Sequence, residues 1–243
     1  MSTGYGTLAK YYDEFMVDFP YNKWALFIDR FMNSGHPILE LGCGTGNLTI
    51  NLKKMGYEIT GLDIEPNMLA VAKQKTDEEN LNIPLIYGDM INADLSPFSQ
   101  LLCPNDGINS ILDKQELKRF FTRVYNSIDK DGVFIFDVST LGKLQDMTEH
   151  IFCEDYPSIT YIWNTRQIKQ NNFEFNLTFF EQIKANQYSR QDLSITQRGY
   201  QLEDLKGYLY LAGFTNIEVY DDYSAKEITN CDDSHRITFV VKK

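Results

Sequence analysis

A chain of 243 residues with 23 basic and 34 acidic side chains has a net charge of −11, and 43% of it is hydrophobic and 14% aromatic. That is enough apolar material for a sizeable core and too much for a disordered chain, while the acidic balance opposes adhesion to phosphate backbones or anionic lipid. The length suits one domain with an elaboration or two small domains, and no apolar run nears the ~18 residues of a membrane span.

The N-terminal stretch MSTGYGTLAKYYDEF lacks the charged-then-apolar pattern of a secretion signal. Trp24, Phe27, Ile28 and Phe31 then fall at i, i+3, i+4, i+7 and predict an amphipathic helix. PILELG follows as a short strand running into glycines, and NLTINLKKMG as a helix stopped by Gly56. Tyr57 to Asp63 reads as a second strand, and EPNMLAVAKQK as a helix with Pro66 in its first turn, where a missing N–H costs least. IPLIYGDM is a third strand ending at Asp89, and Phe98 to Cys103 a fourth. Asp113 and Glu116 have the spacing of a helix N-cap and its third residue, ahead of an apolar-periodic helix to about Ile128. DKDG turns the chain into a buried strand, Val133 to Val138. Strands alternating with helices predict a parallel sheet covered on both faces.

The rhythm changes after Ser139. From Ile159 to Tyr200 polar and aromatic residues alternate, with Phe173, Phe175, Leu177 and Phe179 on one strand face. Asn171-Asn172 and Ala185-Asn186 stand where tight turns belong, so a three-stranded antiparallel meander is expected. YQLEDLKGYLYLAGF returns to a helix, closed by Gly213, and NIEVYDDY and HRITFVVKK supply two last strands. The expected architecture is α/β: a Rossmann-like, seven-stranded, mostly parallel sheet with helices on both faces. A small antiparallel β lid is inserted between its fifth and sixth strands. Residues 1–140 and 201–243 would form the core and 141–200 the insert.

The chemistry gathers at strand ends. Gly42, Gly44 and Gly46 in ILELGCGTGN follow the first strand, and such a turn lets a ligand lie against backbone. A dinucleotide fingerprint needs G-x-G-x-x-G, but Asn47 occupies the place of the third glycine. The observed E-x-G-x-G-x-G suits a ligand without phosphates, and weighs against a nicotinamide oxidoreductase. Asp63 ends the second strand 17 positions beyond Gly46, where a carboxylate can accept from both hydroxyls of a ribose. Asp89 can accept from an adenine amine, with Met90 as an apolar neighbour to the ring.

The ordered set resembles the class I S-adenosylmethionine (SAM)-dependent methyltransferases. ILELGCGTGN is similar to that family's first motif, ITGLDIEPNML to its second, IYGDM to its third and DKDGVFIFDV to a later one. The likeness extends to YYDEFM, FPYNKW and the aromatic insert, close to the whole chain, and points to a small bacterial-type subgroup with an antiparallel lid over the cofactor. The resemblance implies that Gly42, Cys43 and Gly44 line the methionine part of SAM, with Glu40 orienting that end. Asp63 would hold the ribose, Ile64 would lie against the adenine, and Asp89 and Met90 would frame it. Tyr12 and Trp24 would approach the sulfonium or carboxylate end, and Cys103 would offer a backbone contact. Relatives usually carry F-D-x-I/V at the fourth strand; here Ser99 stands where the acid is expected, in PFSQLLCPNDGINS. Asp106 and Asn109 are carried over from that loop, and Asn109, Trp163 and Arg198 are the candidates for contact with the acceptor.

The implied activity is in-line methyl transfer from SAM to a small-molecule acceptor, with nucleic acid and membrane set aside as partners, in a monomer or homodimer. A non-catalytic protein that holds SAM or S-adenosylhomocysteine as a signal is the competing class. His36, His150 and His235 show no metal spacing, and Arg236 is expected to be solvated or paired. Cys43, Cys103, Cys153 and Cys231 lie far apart without a C-x-x-C, and a reducing cytoplasm is their simplest home.

Overall fold

The computed structural model describes residues 5–96, 98–231 and 234–243. The first four residues of the N-terminal stretch, and Pro97 just before the fourth strand, lie outside the described residues. Helices α1 (Tyr5–Phe15) and α2 (Tyr21–Asp29) precede strand β1 (Ile38–Leu41). Then come α3 (Asn47–Lys54), β2 (Ile59–Asp63), α4 (Pro66–Glu78), β3 (Leu85–Tyr87), β4 (Gln100–Cys103), α5 (Lys114–Ser127) and β5 (Val133–Ser139). The insert follows: α6 (Leu141–Asp146), β6 (Ile151–Asp155), β7 (Ile159–Lys169), β8 (Asn172–Lys184) and β9 (Gln187–Arg198). The chain closes with α7 (Leu202–Ala212), β10 (Asn216–Asp221) and β11 (Arg236–Lys242).

Seven strands form one sheet in the order β10-β11-β5-β4-β1-β2-β3, with β11 antiparallel to both of its neighbours, β10 and β5. The order reverses between β1 and β4, which places the switch point of an open α/β sheet beside the glycine turn. Every residue of β1, β4 and β5 is buried, as a strand covered on both faces requires. Along β5 the side chains alternate. Phe134, Phe136 and Val138 pack with Phe120 and Phe121 of α5 and Leu205 and Leu209 of α7. Val133 and Ile135 join Trp24, Phe27 and Ile28 of α2 and Leu48 and Leu52 of α3 on the other face.

Local signals act as expected where they are backbone chemistry. Asp113 caps α5, its Oδ1 accepting from the N–H of Gln115 and of Glu116 at 2.8 and 2.9 Å. Pro66 opens α4, and Gly56 and Gly213 close α3 and α7 with φ of +98° and +115°.

The insert is a four-stranded antiparallel sheet, β6-β7-β8-β9, one strand larger than the expected meander. All five residues of β6 are exposed, so it has no alternation to betray it; it exists by pairing with the edge of β7. Phe173, Phe175, Leu177 and Phe179 are buried together and pack on Leu8, Ala9 and Tyr11 of α1 and Met68 of α4. Helix α1 was not anticipated; its apolar face is covered by this distant sheet together with Met68 of α4. The hairpin between β7 and β8 turns at Gln170-Asn171, one position early, because Lys169 pairs with Asn172. Ala185-Asn186 forms the second turn, with Asn186 at φ +61°. Strand β3 stops at Tyr87, which leaves Asp89 in the loop beyond it.

Candidate active site

The glycine turn answers to three different constraints. Gly42, Gly44 and Gly46 have φ of +76°, +55° and +78°, a region that favours glycine. A Cβ on Gly42 or Gly44 would meet nothing within 4 Å, whereas one on Gly46 would lie 3.2 Å from Cβ of Ala72. Gly46 therefore lets α4 pack close, and the other two leave open space over the end of β1.

That space is a chamber of about 790 Å³, bounded by the ends of β1 to β4, by α1 and by the buried face of the insert. Single-ligand pockets run from roughly 300 to 1,000 Å³, so there is room for a nucleoside cofactor and a small second molecule. Asp63, at the end of β2 and 8% exposed, is fixed at the wall. Its Oδ2 accepts from the N–H of Gly44 at 2.7 Å and its Oδ1 from that of Glu65 at 2.8 Å. Each oxygen keeps acceptor capacity for a ligand. Burial pushes its carboxyl above the usual range, against the pull of these backbone donors.

Glu40 is buried at the end of β1 and accepts from Thr49 Oγ1 at 2.6 Å. Burial pushes its carboxyl up to about 8; the Thr49 bond opposes this and the Asp63 charge adds to it. Such a group gains from a cation placed beside it. Trp24, 1% exposed and on the chamber wall, leaves its Nε1 without a partner. An orphaned indole donor and a buried acid suit the carboxylate and the ammonium of an amino-acid ligand.

Helix α1 is tied to the turn. Asp13 accepts from Thr45 Oγ1 at 2.6 Å, from Asn47 Nδ2 at 2.8 Å and from Lys75 Nζ at 2.5 Å. Tyr12 accordingly reaches the chamber, where its hydroxyl accepts from Asn105 Nδ2 at 2.6 Å. The loop after β4 is drawn in by β5. Asn105 and Asp106 stand in the left-handed region, with φ of 57° and 62°. Their N–H groups donate to Asp137 at 2.7 and 2.8 Å. Arg236 ties Asp106, at 2.7 Å, to Asp137, and Tyr223 donates to Asp137 at 2.5 Å. Burial works against ionisation of both carboxyls and the guanidinium works for it; Asp106 ends below its ordinary range and Asp137 above.

Of the residues singled out in the sequence, Tyr12, Trp24, Glu40, Gly42, Cys43, Gly44, Asp63, Ile64, Asp89, Met90 and Trp163 all line this chamber. Asp89 is also the cap of its own turn, accepting from Ile91 N at 2.9 Å. Cys103, Asn109 and Arg198 are not on the wall. Cys103 is fully buried beneath the loop, 3.8 Å from Met90 Sδ. Asn109 rivets the loop to β5 and β9 through Ser139 and the carbonyl of Arg198. Arg198 donates to the carbonyl of Leu112 at 3.0 Å. Ser99, in place of the acid, lies 3.3 Å from His36 Nδ1. The three histidines are exposed, and no cluster that could hold a metal occurs among the described residues. Arg236 is paired, as expected.

Sequence reasoning missed Asn105, Ser139 and Lys143, which line the chamber. Leu8, Tyr12 and Phe15 line it too, and their i, i+4, i+7 spacing was a usable signal for α1.

A nucleoside-sized chamber at the switch point, with an open glycine turn and a ribose-competent carboxylate, defines a class of α/β proteins that hold adenosyl cofactors. The comparisons make the class specific. A methyltransferase-domain family profile matches residues 38–132. A Geobacillus sp. (strain WCH70) protein named as a methyltransferase is 31% identical, over 98% of this chain and 99% of its own. The crystal structure of an S-adenosylmethionine-dependent methyltransferase from Clostridium acetobutylicum superposes with a TM-score of 0.84 at 31% identity, covering 98% of each chain. The sugar N-methyltransferase KedS8 from Streptoalloteichus, at 19% identity and TM-score 0.77 over 96% and 92% of the two chains, shares the fold. The chain belongs to the SAM-dependent methyltransferase family. It is an enzyme, and S-adenosylmethionine is its cofactor.

Proposed function

We propose that the enzyme moves the methyl group of SAM by in-line displacement to a small molecule held between the glycine turn and the insert of residues 141–200, releasing S-adenosylhomocysteine. When bound, the cofactor supplies a methyl already activated on a positive sulfur. The chain must then bind, orient and exclude water. In this reading Gly42, Cys43 and Gly44 run along the methionine part. Glu40 and the Trp24 indole take its charged end, and Asp63 takes the ribose hydroxyls. Ile64, Asp89 and Met90 frame the adenine. Tyr12 presents an aromatic face to the sulfonium, an attraction of about 0.5–2 kcal/mol. The net charge of −11 and a chamber walled by the insert support a small acceptor over nucleic acid. The four free cysteines support a reducing compartment, the cytoplasm.

The observation that carries the site assignment is Asp63, buried and held by two backbone donors with its remaining capacity turned to the chamber. Calorimetric titration tests it. Asp63→Ala should weaken SAM about a hundredfold or more, the loss of two hydrogen bonds to a charged group. Unchanged affinity defeats the assignment. A purely regulatory SAM-binding role is not favoured, because the chamber extends past the cofactor wall to the buried face of the insert.

A further inference from the structure

The strands of the insert give the chamber a wall of one character. They place Tyr161, Trp163, Phe175, Leu177, Ile195 and Gln197 there, and none of these is charged. Most of that surface is apolar or aromatic. The hydroxyl of Tyr161 lies beside Glu154 of β6, and the Nε1 of Trp163 is buried. Gln197 is the exception. It stands on β9 directly opposite Phe173 of β8, in the row next to the Phe175–Ile195 pair. Its side chain therefore leaves the sheet on the aromatic face. It is half-buried and lines the chamber, and its amide makes no hydrogen bond among the described residues.

The charged groups of the wall are engaged elsewhere. Asp106 and Arg236 pair with each other, and Arg236 also with Asp137. Lys143 belongs to that same cluster: it donates to Ser139 Oγ at 2.9 Å and faces the carboxylates of Asp106, Asp137 and Asp222. Glu40 and Asp63 stand at the glycine turn, at the cofactor end. The free amide of Gln197 is thus an uncommitted polar group on an otherwise apolar insert wall.

Resting on the methyl-transfer reading, we propose that Gln197 selects the acceptor, and that the acceptor is an uncharged flat ring with an N–H beside a C=O on one edge, a lactam in chemical class. The ring lies against the aromatic face of the insert. Its N–H donates to Oε1 of Gln197, and its carbonyl accepts from Nε2.

Chemistry selects this class over its rivals. A glutamine side chain ends in an acceptor and a donor held in one plane, and its complement is an edge with a donor and an acceptor side by side. A wholly apolar ring would cover the amide and leave both ends unpaired, and a lone carbonyl would satisfy only one of them. A charged acceptor would be stripped of water against an insert wall that offers no counter-charge. A sugar would bring several hydroxyls to a surface with one free amide.

The test uses the full-length protein saturated with S-adenosylhomocysteine and titrated with 2-quinolinone, whose own fluorescence reports binding. Its 1-methyl derivative, which keeps the ring and the carbonyl but lacks the N–H, is the control. The wild-type complex should bind 2-quinolinone about tenfold more tightly than the control, the worth of one buried hydrogen bond. Gln197→Leu should bind S-adenosylhomocysteine as before and hold the two compounds alike. Should Gln197→Leu fail to fold, Gln197→Met in the same titration decides. Trp163→Ala should weaken both compounds and keep the gap between them. The proposal is overturned if the wild-type complex ignores 2-quinolinone or binds the control as tightly. It is overturned equally if the gap survives in the Gln197 variants, as a merely steric effect of the added methyl would, or if glucosamine displaces the ring. Failure of the wild type to bind S-adenosylhomocysteine at all is a different result, and sinks the methyl-transfer site itself.

Discussion

Glu40 is the residue whose surroundings are most at odds with its chemistry. It is 1% exposed with Thr49 as its side-chain partner. It titrates near 4.5 in an unfolded chain and at about 8 here. Between those values the unfolded state has shed a proton that the folded state keeps, so stability falls as pH rises through that window. Glu40→Gln keeps the acceptor for Thr49 and removes the ionisation. Its gain over the wild type should be absent below pH 4.5, grow by up to about 1.4 kcal/mol per pH unit, and level off near 8. Urea denaturation at several pH values checks this, and a pH-independent difference would show that burial of the charge is not the cause. Residues such as Glu40 and Asp63 were legible because strand ends are visible in sequence and the acid types there are few. Lys143 was not, since a lysine on a short helix looks like a solvated one; only the arrival of Asp106, Arg236 and the insert around it makes it a chamber group.

The glycine turn and α1 make contrasting predictions at the scale of an element. Gly46→Ala should cost about 1–3 kcal/mol of stability, combining left-handed backbone strain with the 3.2 Å approach to Ala72. Gly42→Ala carries the strain alone, since its Cβ meets open space, but intrudes where ligand belongs; cofactor affinity should fall more than thermal stability does. Calorimetry and thermal melts on the same two variants separate the cases. For α1, Asp13→Ala removes three bonds to the turn and α4. Faster amide exchange across residues 5–15 is expected, with SAM affinity lowered about tenfold. Strands β1 and β5 were readable as unbroken apolar runs. Strand β6 was hidden because it has no buried face, whereas helix α1 carries a periodic stripe, Leu8, Tyr12 and Phe15, that went unread although its cover lies over a hundred residues on.

Across the whole molecule, Arg236 on the last strand joins the fourth-strand loop to β5. Trp24 lies 5.1 Å from the guanidinium and stacks on Tyr223 at 4.0 Å. Removing the cation strands two buried carboxylates, and Arg236→Met should lose about 3–5 kcal/mol near neutral pH. The loss should shrink in acid, where Asp106 and Asp137 become neutral, as paired denaturation curves would reveal. One buried network thus joins residues 106, 137 and 236 across the molecule.

Helix α1 holds the glycine turn through Asp13, while Lys10 and Tyr11 grip Glu181 of β8 at 2.5 and 2.7 Å. Helix α1 thus links the glycine turn to the insert. If, as proposed, the acceptor sits under the insert, spent cofactor and methylated product leave by one opening, and turnover should be paced by it. Multiple-turnover rates should drop with solvent viscosity while the rate of a single enzyme-bound transfer stays level.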